Sequence, residues 1–382
     1  MNGNSKDAMK ADILILAAAR NLSPRVVLEK KTLEDIGYSV EVFYRDRISF
    51  SKYFFKSVLS YYWRSIRICS DKNITCIHLC HIGQLPMAPF FKLMGKKVIY
   101  DAFERFSVDI SEQHAPRMFK EYVKWSIEII ENFLLKGFVD AVFVVSTPGE
   151  YLEKRYDRHC GHVEVLYNVP PIDYLFQGNV QKKFREKTLK LAYVGGINHA
   201  KGSKLFVPLA IKLLKKDIDF RLHLIGRFSS ESLKESLLDG IKRNGINQHI
   251  VLNGFMNYSQ MSDYLKSFHV GLTLHSQLKR FSYIGKGSSR KNFTYMCAGM
   301  VVLTHNVGEM SKVVEEEKCG IVLRNTGNLN EVADTIERLE KDRRYAADLA
   351  ENGLNAIRLR YNWDKEKEKV VNSYNSLLSS KM

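Results

Sequence analysis

The chain lacks the long apolar stretch of a membrane-spanning protein: no run approaches the ~18 residues that would cross a bilayer. The apolar segment ILILAAA near the start is preceded by Asp12 and followed by Arg20, so it reads as a first strand and not as a signal-peptide core. The cysteines stand at positions 69, 76, 80, 160, 297 and 319, mostly in apolar settings and without the rhythm of a disulfide framework. That pattern points to a reducing cytoplasm. There is no repeat, no low-complexity tract, and no helix-turn-helix, zinc-finger or RNP-type pattern, which argues against nucleic acid as the partner. Acids are in deficit: 42 Asp and Glu stand against 58 Lys and Arg, for a formal net charge of +16. An anionic ligand or surface is the expected counterpart.

What is present is most informative between Leu191 and Gly202, in LAYVGGINHAKG. A short apolar run ends abruptly at Gly195-Gly196, and Lys201 and a helical pattern follow. Glycine allows the backbone to turn tightly and approach a ligand closely, a helix start offers free N–H groups to a phosphate, and Lys201 adds a positive charge. The plain alternative is an ordinary strand-to-helix turn.

From Leu191 onward strand-like runs alternate with amphipathic stretches: LAYV, RLHLIG, HIVLNGF, HVGLTLH, MVVLTHN and GIVLR are separated by segments of helical period. This predicts a parallel sheet covered by helices on both faces. Ligands then sit beyond the carboxyl ends of the strands, where Gly195, Gly226, Gly254 and the segment after His275 fall. Upstream, ADILILAAA, YSVEVFY, ITCIHLC, KKVIYDA and DAVFVVS read as strands of another α/β domain. The 382 residues suit two domains, each able to bury a core. The expected boundaries are 1–170 for the first domain, 171–187 for a linker, 188–360 for the second, and 361–382 for a terminal helix.

Taken in order, LAYVGGINHAKG, HLIGR, LNGF, KNFTYMCAGMVVLTHNVGE and VVEEEKCGIVL resemble the nucleotide-sugar-binding half of a family 4 glycosyltransferase. Weaker echoes lie upstream: SPRVVLEKKTLEDIGYSVEVF is similar to that family's first strand-helix-strand entry, VIYDAFERF to its D-x-H-E segment, and DAVFVVST with VLYNVPP to its exit from the first domain. The resemblance implies the GT-B fold, two Rossmann-like domains facing a central cleft with a C-terminal helix crossing back to the first. It also implies a retaining, metal-independent transfer of a sugar from a nucleotide diphosphate to a glycan or lipid-linked acceptor, with no cofactor. Lys201 falls on the family's diphosphate-binding lysine, and Gly195, Gly196, Gly226, Arg227, Gly254, Phe255, Arg290, Lys291 and Thr294 on or near its donor site. Asp101 and Glu104, with Lys201, are the expected catalytic groups.

Several positions depart from that pattern. Gly196 stands where the family usually has an arginine in its first turn, which leaves Arg227, Arg290 and Lys291 to supply the missing cation. Thr294 replaces the second glutamate of the E-x(7)-E motif, Lys286 occupies the place of the first, and Phe103 replaces the cleft histidine. These changes open an alternative, a degenerate glycosyltransferase fold serving as a binding or scaffolding partner. A nucleotide-sugar epimerase on the same fold is disfavoured, since its catalytic acids are not apparent.

Two further features invite a reading. Cys76, His78 and Cys80 alternate along one strand face with His81 beside them. Same-face neighbours on a strand stand ~6.5 Å apart, which suits packing better than chelation, so no metal is expected; under the resemblance His78 or His81 lines the acceptor side. Between Arg45 and Lys97, ten Lys or Arg face two acids, Asp46 and Asp71. Within this span Phe54, Val58, Tyr62 and Ile66 share a helical face flanked by Lys56, Arg64 and Arg67, which suits either a core stripe or an anionic membrane surface touching residues 50–67. The second reading makes the protein cytoplasmic and peripheral on the inner membrane face.

Overall fold

A computed structural model describes residues 12–17, 23–44, 54–103, 105–145, 151–275, 279–325 and 327–379. The chain divides into two compact units, Met1–Leu166 with Glu366–Met382, and Tyr167–Lys365. Each is a Rossmann-like α/β unit. The first holds β1 (Ile13–Ala17), β2 (Val40–Tyr44), β3 (Cys76–Leu79), β4 (Lys97–Ala102), β5 (Ala141–Val144) and β6 (Val163–Val165), hydrogen-bonded in the order β2-β1-β3-β4-β5-β6. The second holds β7 (Leu189–Val194), β8 (Phe220–Ile225), β9 (Ile250–Gly254), β10 (Val270–Thr273), β11 (Val301–His305) and β12 (Gly320–Leu323), in the order β12-β11-β10-β7-β8-β9. Every pairing is parallel. Parallel sheets are covered on both faces, and β1, β3, β5, β10 and β11 are accordingly buried along their whole length.

Strand order reverses between β7 and β10 in the second sheet, because the chain runs outward from β7 through β8 and β9 and then returns to β10 on the other side. At such a switch point the loops leaving two neighbouring strands diverge and open a crevice at their carboxyl ends. The turn after Val194 and the segment after Thr273 therefore border the same crevice.

The segment expected to link the domains is packed into the second unit. Phe176 donates its N–H to the Cys297 carbonyl at 2.9 Å, and the Lys183 ammonium donates to the carbonyl of Ala298 at 2.9 Å. The last helix, Trp363–Ser379, passes at Glu366 into the first unit, where the Tyr374 hydroxyl lies 2.7 Å from His78 Nδ1. In the helix Phe54–Cys69, Tyr61, Ser65 and Cys69 turn inward, Val58, Tyr62 and Ile66 are half-buried, and Trp63 is exposed. Of the basic aromatic segment, residues 50–53 lie outside the described residues.

The first unit buries a charge cluster beneath its sheet ends. Arg25 Nε donates to Glu29 at 2.8 Å and its other nitrogen stands 3.1 Å from the Asp101 carboxylate, all nearly or fully excluded from solvent. Burial works against the Arg25 charge, yet Asp101 and Glu29 hold its pKa above the ordinary arginine value. Replacing Arg25 with methionine leaves two buried carboxylates facing one another. Urea denaturation should show a loss of roughly 3–5 kcal/mol, as expected when one partner of a buried ion pair is removed; a loss below about 1 kcal/mol would mean the cluster does not bear on stability.

Candidate functional site

The strand β7 ends at Val194, and the chain turns at Gly195, whose φ of +114° lies in the left-handed region. Gly195 donates its N–H to Ile225 at 2.8 Å, and Gly226 donates to Gly254 at 2.7 Å, so the ends of β7, β8 and β9 are laced together. A Cβ on Gly226 would stand 1.9 Å from the Gly195 carbonyl oxygen. Gly226 is thus required for the approach of the two turns, and its role is to shape the first turn. The helix does not follow Lys201 at once: two short 3-10 turns, His199–Lys201 and Ser203–Leu205, precede the helix Phe206–Lys215. Asn198 fixes the first of these by accepting the Lys201 N–H at 2.9 Å.

Across the switch point, the helix Arg290–Cys297 brings Lys291 back over the glycine turn. A Cβ on Gly195 would lie 3.1 Å from Lys291 Cε, and the ammonium lies 4.0 Å from the centroid of the Tyr193 ring. Lys291 Nζ is buried and has no hydrogen-bond partner among the described residues. Burial, and then the charge of Lys201, push its pKa well below the ordinary lysine range. His275, just past β10, is lowered to about 2 by burial and then by Lys291, Lys201 and His305, so the imidazole is neutral. Among the described residues, the side-chain charges that act most on these two groups are those of Lys201, Lys291 and His305.

Tyr295 anchors this arrangement. Its hydroxyl accepts the Val194 N–H at 2.9 Å and donates to the Leu272 carbonyl at 3.1 Å, bolting the ends of β7 and β10 together. Its ring fills the space that a side chain on Gly271 would need. Neither Tyr295 nor His275 was singled out from sequence. The signals were a glycine inside an apolar strand and a histidine at its end.

The remaining expected residues are distributed as follows. Arg227 and Phe255 are exposed and stack on each other, with the guanidinium 4.3 Å from the ring centroid. Thr294 is buried and its hydroxyl donates to the Arg290 carbonyl at 2.8 Å, which leaves the oxygen's remaining capacity facing Tyr258 at 3.5 Å. Lys286 forms an ion pair with Glu316. The structure brings together Gly195, Lys291 and, electrostatically, Lys201.

In the first unit, Asp101 is fully buried and faces Arg25 and His78, and Phe103 lies under the Arg25 guanidinium at 5.2 Å. Glu104 lies outside the described residues. His81 accepts the Gly83 N–H at 3.0 Å and packs against Phe106. Cys76 and Cys80 are buried, with burial pushing both thiols up, and His78 is paired with other groups than these. Glu29, His78 and Asp101 do offer ligand atoms within 4.8 Å of one another. Arg25, however, already sits in ion pairs with both carboxylates, and a divalent cation would stand against its charge.

Residues 178–356 match the family Glycosyl transferases group 1. No curated protein matches. The chain is similar in structure to sucrose-phosphate synthase (tll1590) from Thermosynechococcus elongatus, at 14% identity and a TM-score of 0.73, covering 96% of this chain and 99% of that one. It is similar to WaaG, a glycosyltransferase involved in lipopolysaccharide biosynthesis, at 12% identity and 0.71 over 96% and 99%. Anabaena Alr3699/HepE in complex with UDP and glucose gives 14% identity and 0.70 over 96% and 100%. The fold is GT-B, and the family match falls on the unit that carries the glycine turn and both lysines.

A buried amine with no hydrogen-bond partner among the described residues attracts an anion. A diphosphate beside Lys291 favours its charged form and raises its lowered pKa, so binding takes up protons at pH values between the free and the bound pKa. Binding enthalpies of a nucleoside diphosphate should therefore differ between two buffers of different ionisation enthalpy, in the sense of proton transfer from buffer to protein. The measurement is repeated at several pH values from about 8 to about 10, above the phosphate's own pKa of ~6. Equal enthalpies in both buffers would contradict the assignment of Lys291.

Proposed function

We propose that this chain is a glycosyltransferase that moves a sugar from a nucleotide diphosphate donor to a hydroxyl of a lipid-linked or surface glycan, with retention of configuration and without a metal, at the cytoplasmic face of a membrane. The observation that carries this reading is the pair Lys201 and Lys291 at the glycine turn of the β7/β10 switch point, the Lys291 amine being buried without a hydrogen-bond partner among the described residues. The family match over residues 178–356 and the GT-B fold support glycosyl transfer from a nucleotide sugar. As the glycosidic bond breaks, negative charge grows on the leaving diphosphate, and preorganised cations in a water-poor site stabilise that charge strongly. Lys201 and Lys291 do this work without a divalent ion. Gly195 and Gly196 let the backbone approach the phosphates, and Arg290, Arg227 and Phe255 border the donor from the neighbouring strand ends. Asp101 acts as a positioning residue through Arg25, while Glu104 remains the first unit's candidate for direct chemistry.

A second reading, a binding or scaffolding protein on the same fold, is favoured by one observation. Thr294 and Lys286 carry no carboxylate to accept the ribose hydroxyls, and the Thr294 hydroxyl donates to its own helix while Lys286 is ion-paired. Thermal stabilisation by a panel of nucleotide sugars separates the two, because a ligand raises the melting temperature only of a protein that binds it. A transferase responds to at least one donor, and releases free nucleotide only once an acceptor is added; an epimerase needs no acceptor, and a scaffold responds to none. Charge-assisted hydrogen bonds contribute ~1.5–3 kcal/mol, so Lys201→Ala should weaken diphosphate binding about tenfold or more. Unchanged affinity in calorimetry would remove Lys201 from the site.

A further inference from the structure

The helix Lys120–Phe138 in the first unit is amphipathic, but its apolar side faces outward. Only Glu131, Leu134 and Leu135 are buried along its 19 residues. Tyr122, Trp125, Ile129 and Phe133 recur at spacings of three and four, so they form one stripe, and Met118 extends it by a turn. All five are exposed, with Trp125 at 58% and Phe133 at 68%. A monomer in water rarely leaves so continuous an apolar stripe uncovered.

The neighbouring helices of the first unit also carry exposed apolar side chains. The helix Ala88–Leu93 packs against Lys120–Phe138 and leaves Leu93 87% exposed, and the helix Phe54–Cys69 packs against Ala88–Leu93 and leaves Trp63 70% exposed. None of these exposed apolar positions is interrupted by an acid on the stripe itself. The acids of the Lys120–Phe138 helix are engaged internally: Glu121 by Lys124, Glu128 by Arg105, and Glu131 by Arg155. Arg117 and Lys136 stand exposed at the two ends, and Lys56, Arg64 and Arg67 are exposed on the Phe54–Cys69 helix.

Charge decides what covers this face. A second copy of the chain would bring the same cations against it, in a protein whose formal net charge is +16. An anionic lipid surface offers the opposite sign together with an apolar interior, and Trp and Tyr favour the boundary between the two. No helix among the described residues is long and apolar enough to cross a membrane, so the contact is interfacial, with the stripe lying in the plane at the acyl boundary.

We propose that the outward stripe of the Lys120–Phe138 helix inserts into an anionic bilayer and is the main membrane-docking element of the first unit, with the Phe54–Cys69 helix supplying flanking cations. Its purpose, bringing the site to a lipid-borne acceptor, rests on the function proposed above; the contact itself does not.

The test is co-sedimentation of the full chain with vesicles of phosphatidylglycerol and phosphatidylcholine, and with phosphatidylcholine alone. The wild-type protein should sediment with the anionic vesicles. The triple variant Trp125→Ser, Ile129→Ser, Phe133→Ser should lose affinity for them by about tenfold or more, since several large apolar side chains no longer leave water. Its melting temperature and its response to nucleotide should not change, because all three side chains are exposed. In Trp63→Phe, the remaining exposed tryptophan is Trp125, Trp363 being buried, and its fluorescence should be quenched by brominated lipid. Wild-type protein that stays in the supernatant with both vesicle types overturns the proposal, as does a triple variant that binds like wild type. Concentration-dependent dimerisation abolished by the triple variant, without vesicle binding, would assign the stripe to a second copy and also overturns it. Failure of every nucleotide sugar to stabilise the protein would count against glycosyl transfer and leave the vesicle result intact.

Discussion

A lysine amine held out of water with no hydrogen-bond partner is penalised in its charged form until a counter-charge arrives, and the second unit holds one at Lys291 among the described residues. The surrounding structure is arranged to make that position unavoidable. The sheet reverses direction between β7 and β10, Tyr295 ties the ends of those two strands to one another, and Gly195 leaves no side chain in the path of the lysine. Lys201 adds a second positive charge and His275 stays neutral beside them. A site of this kind is strained electrostatically when empty and relieved by an anion, which is the arrangement a diphosphate-binding catalyst needs if the charge of the departing group is to be met by preorganised cations.

The strands of the second unit were legible because buried parallel strands are short, nearly continuous apolar runs, and β7 to β12 each appear as one. In the first unit β6 escaped because Val163–Val165 is only three residues long and its middle residue is a glutamate. The glycine turn was legible from composition, but the two 3-10 turns between it and the next helix were not, since Asn198 and Gly202 give the same local signals as a helix start. The burial of Lys291 could not be read from RKNFTYM, where a lysine beside an arginine looks like a solvated helix end. Nor could the engagement of Thr294 with its own helix, which depends on a hydroxyl turning inward to the Arg290 carbonyl.

The first unit shows the same limit on its surface. A periodic apolar stripe signals one face of a helix and does not say which way that face points. The segment 50–67 stands out by its charge, yet Tyr61 and Ser65 face inward there, whereas the Lys120–Phe138 helix has the same period with its aromatic side turned to solvent. Below the sheet ends, Arg25, Glu29, His78 and Asp101 form a buried polar cluster that the C-terminal helix reaches through Tyr374. Asp101 is thereby tied into the framework of the unit. The two units thus treat buried titratable groups differently: the first pairs Arg25 with carboxylates, and the second buries the Lys291 amine with no hydrogen-bond partner among the described residues.

The substitution Lys291→Met separates stability from binding more directly than any other. Methionine keeps much of the lysine's length and apolar stem while removing the buried amine, so the variant should melt at the same temperature as the wild type or higher, and calorimetry should show nucleoside diphosphate affinity reduced by about tenfold or more. A variant that melts lower yet binds the diphosphate as tightly as wild type would show that Lys291 is a structural residue and that the anion site lies elsewhere.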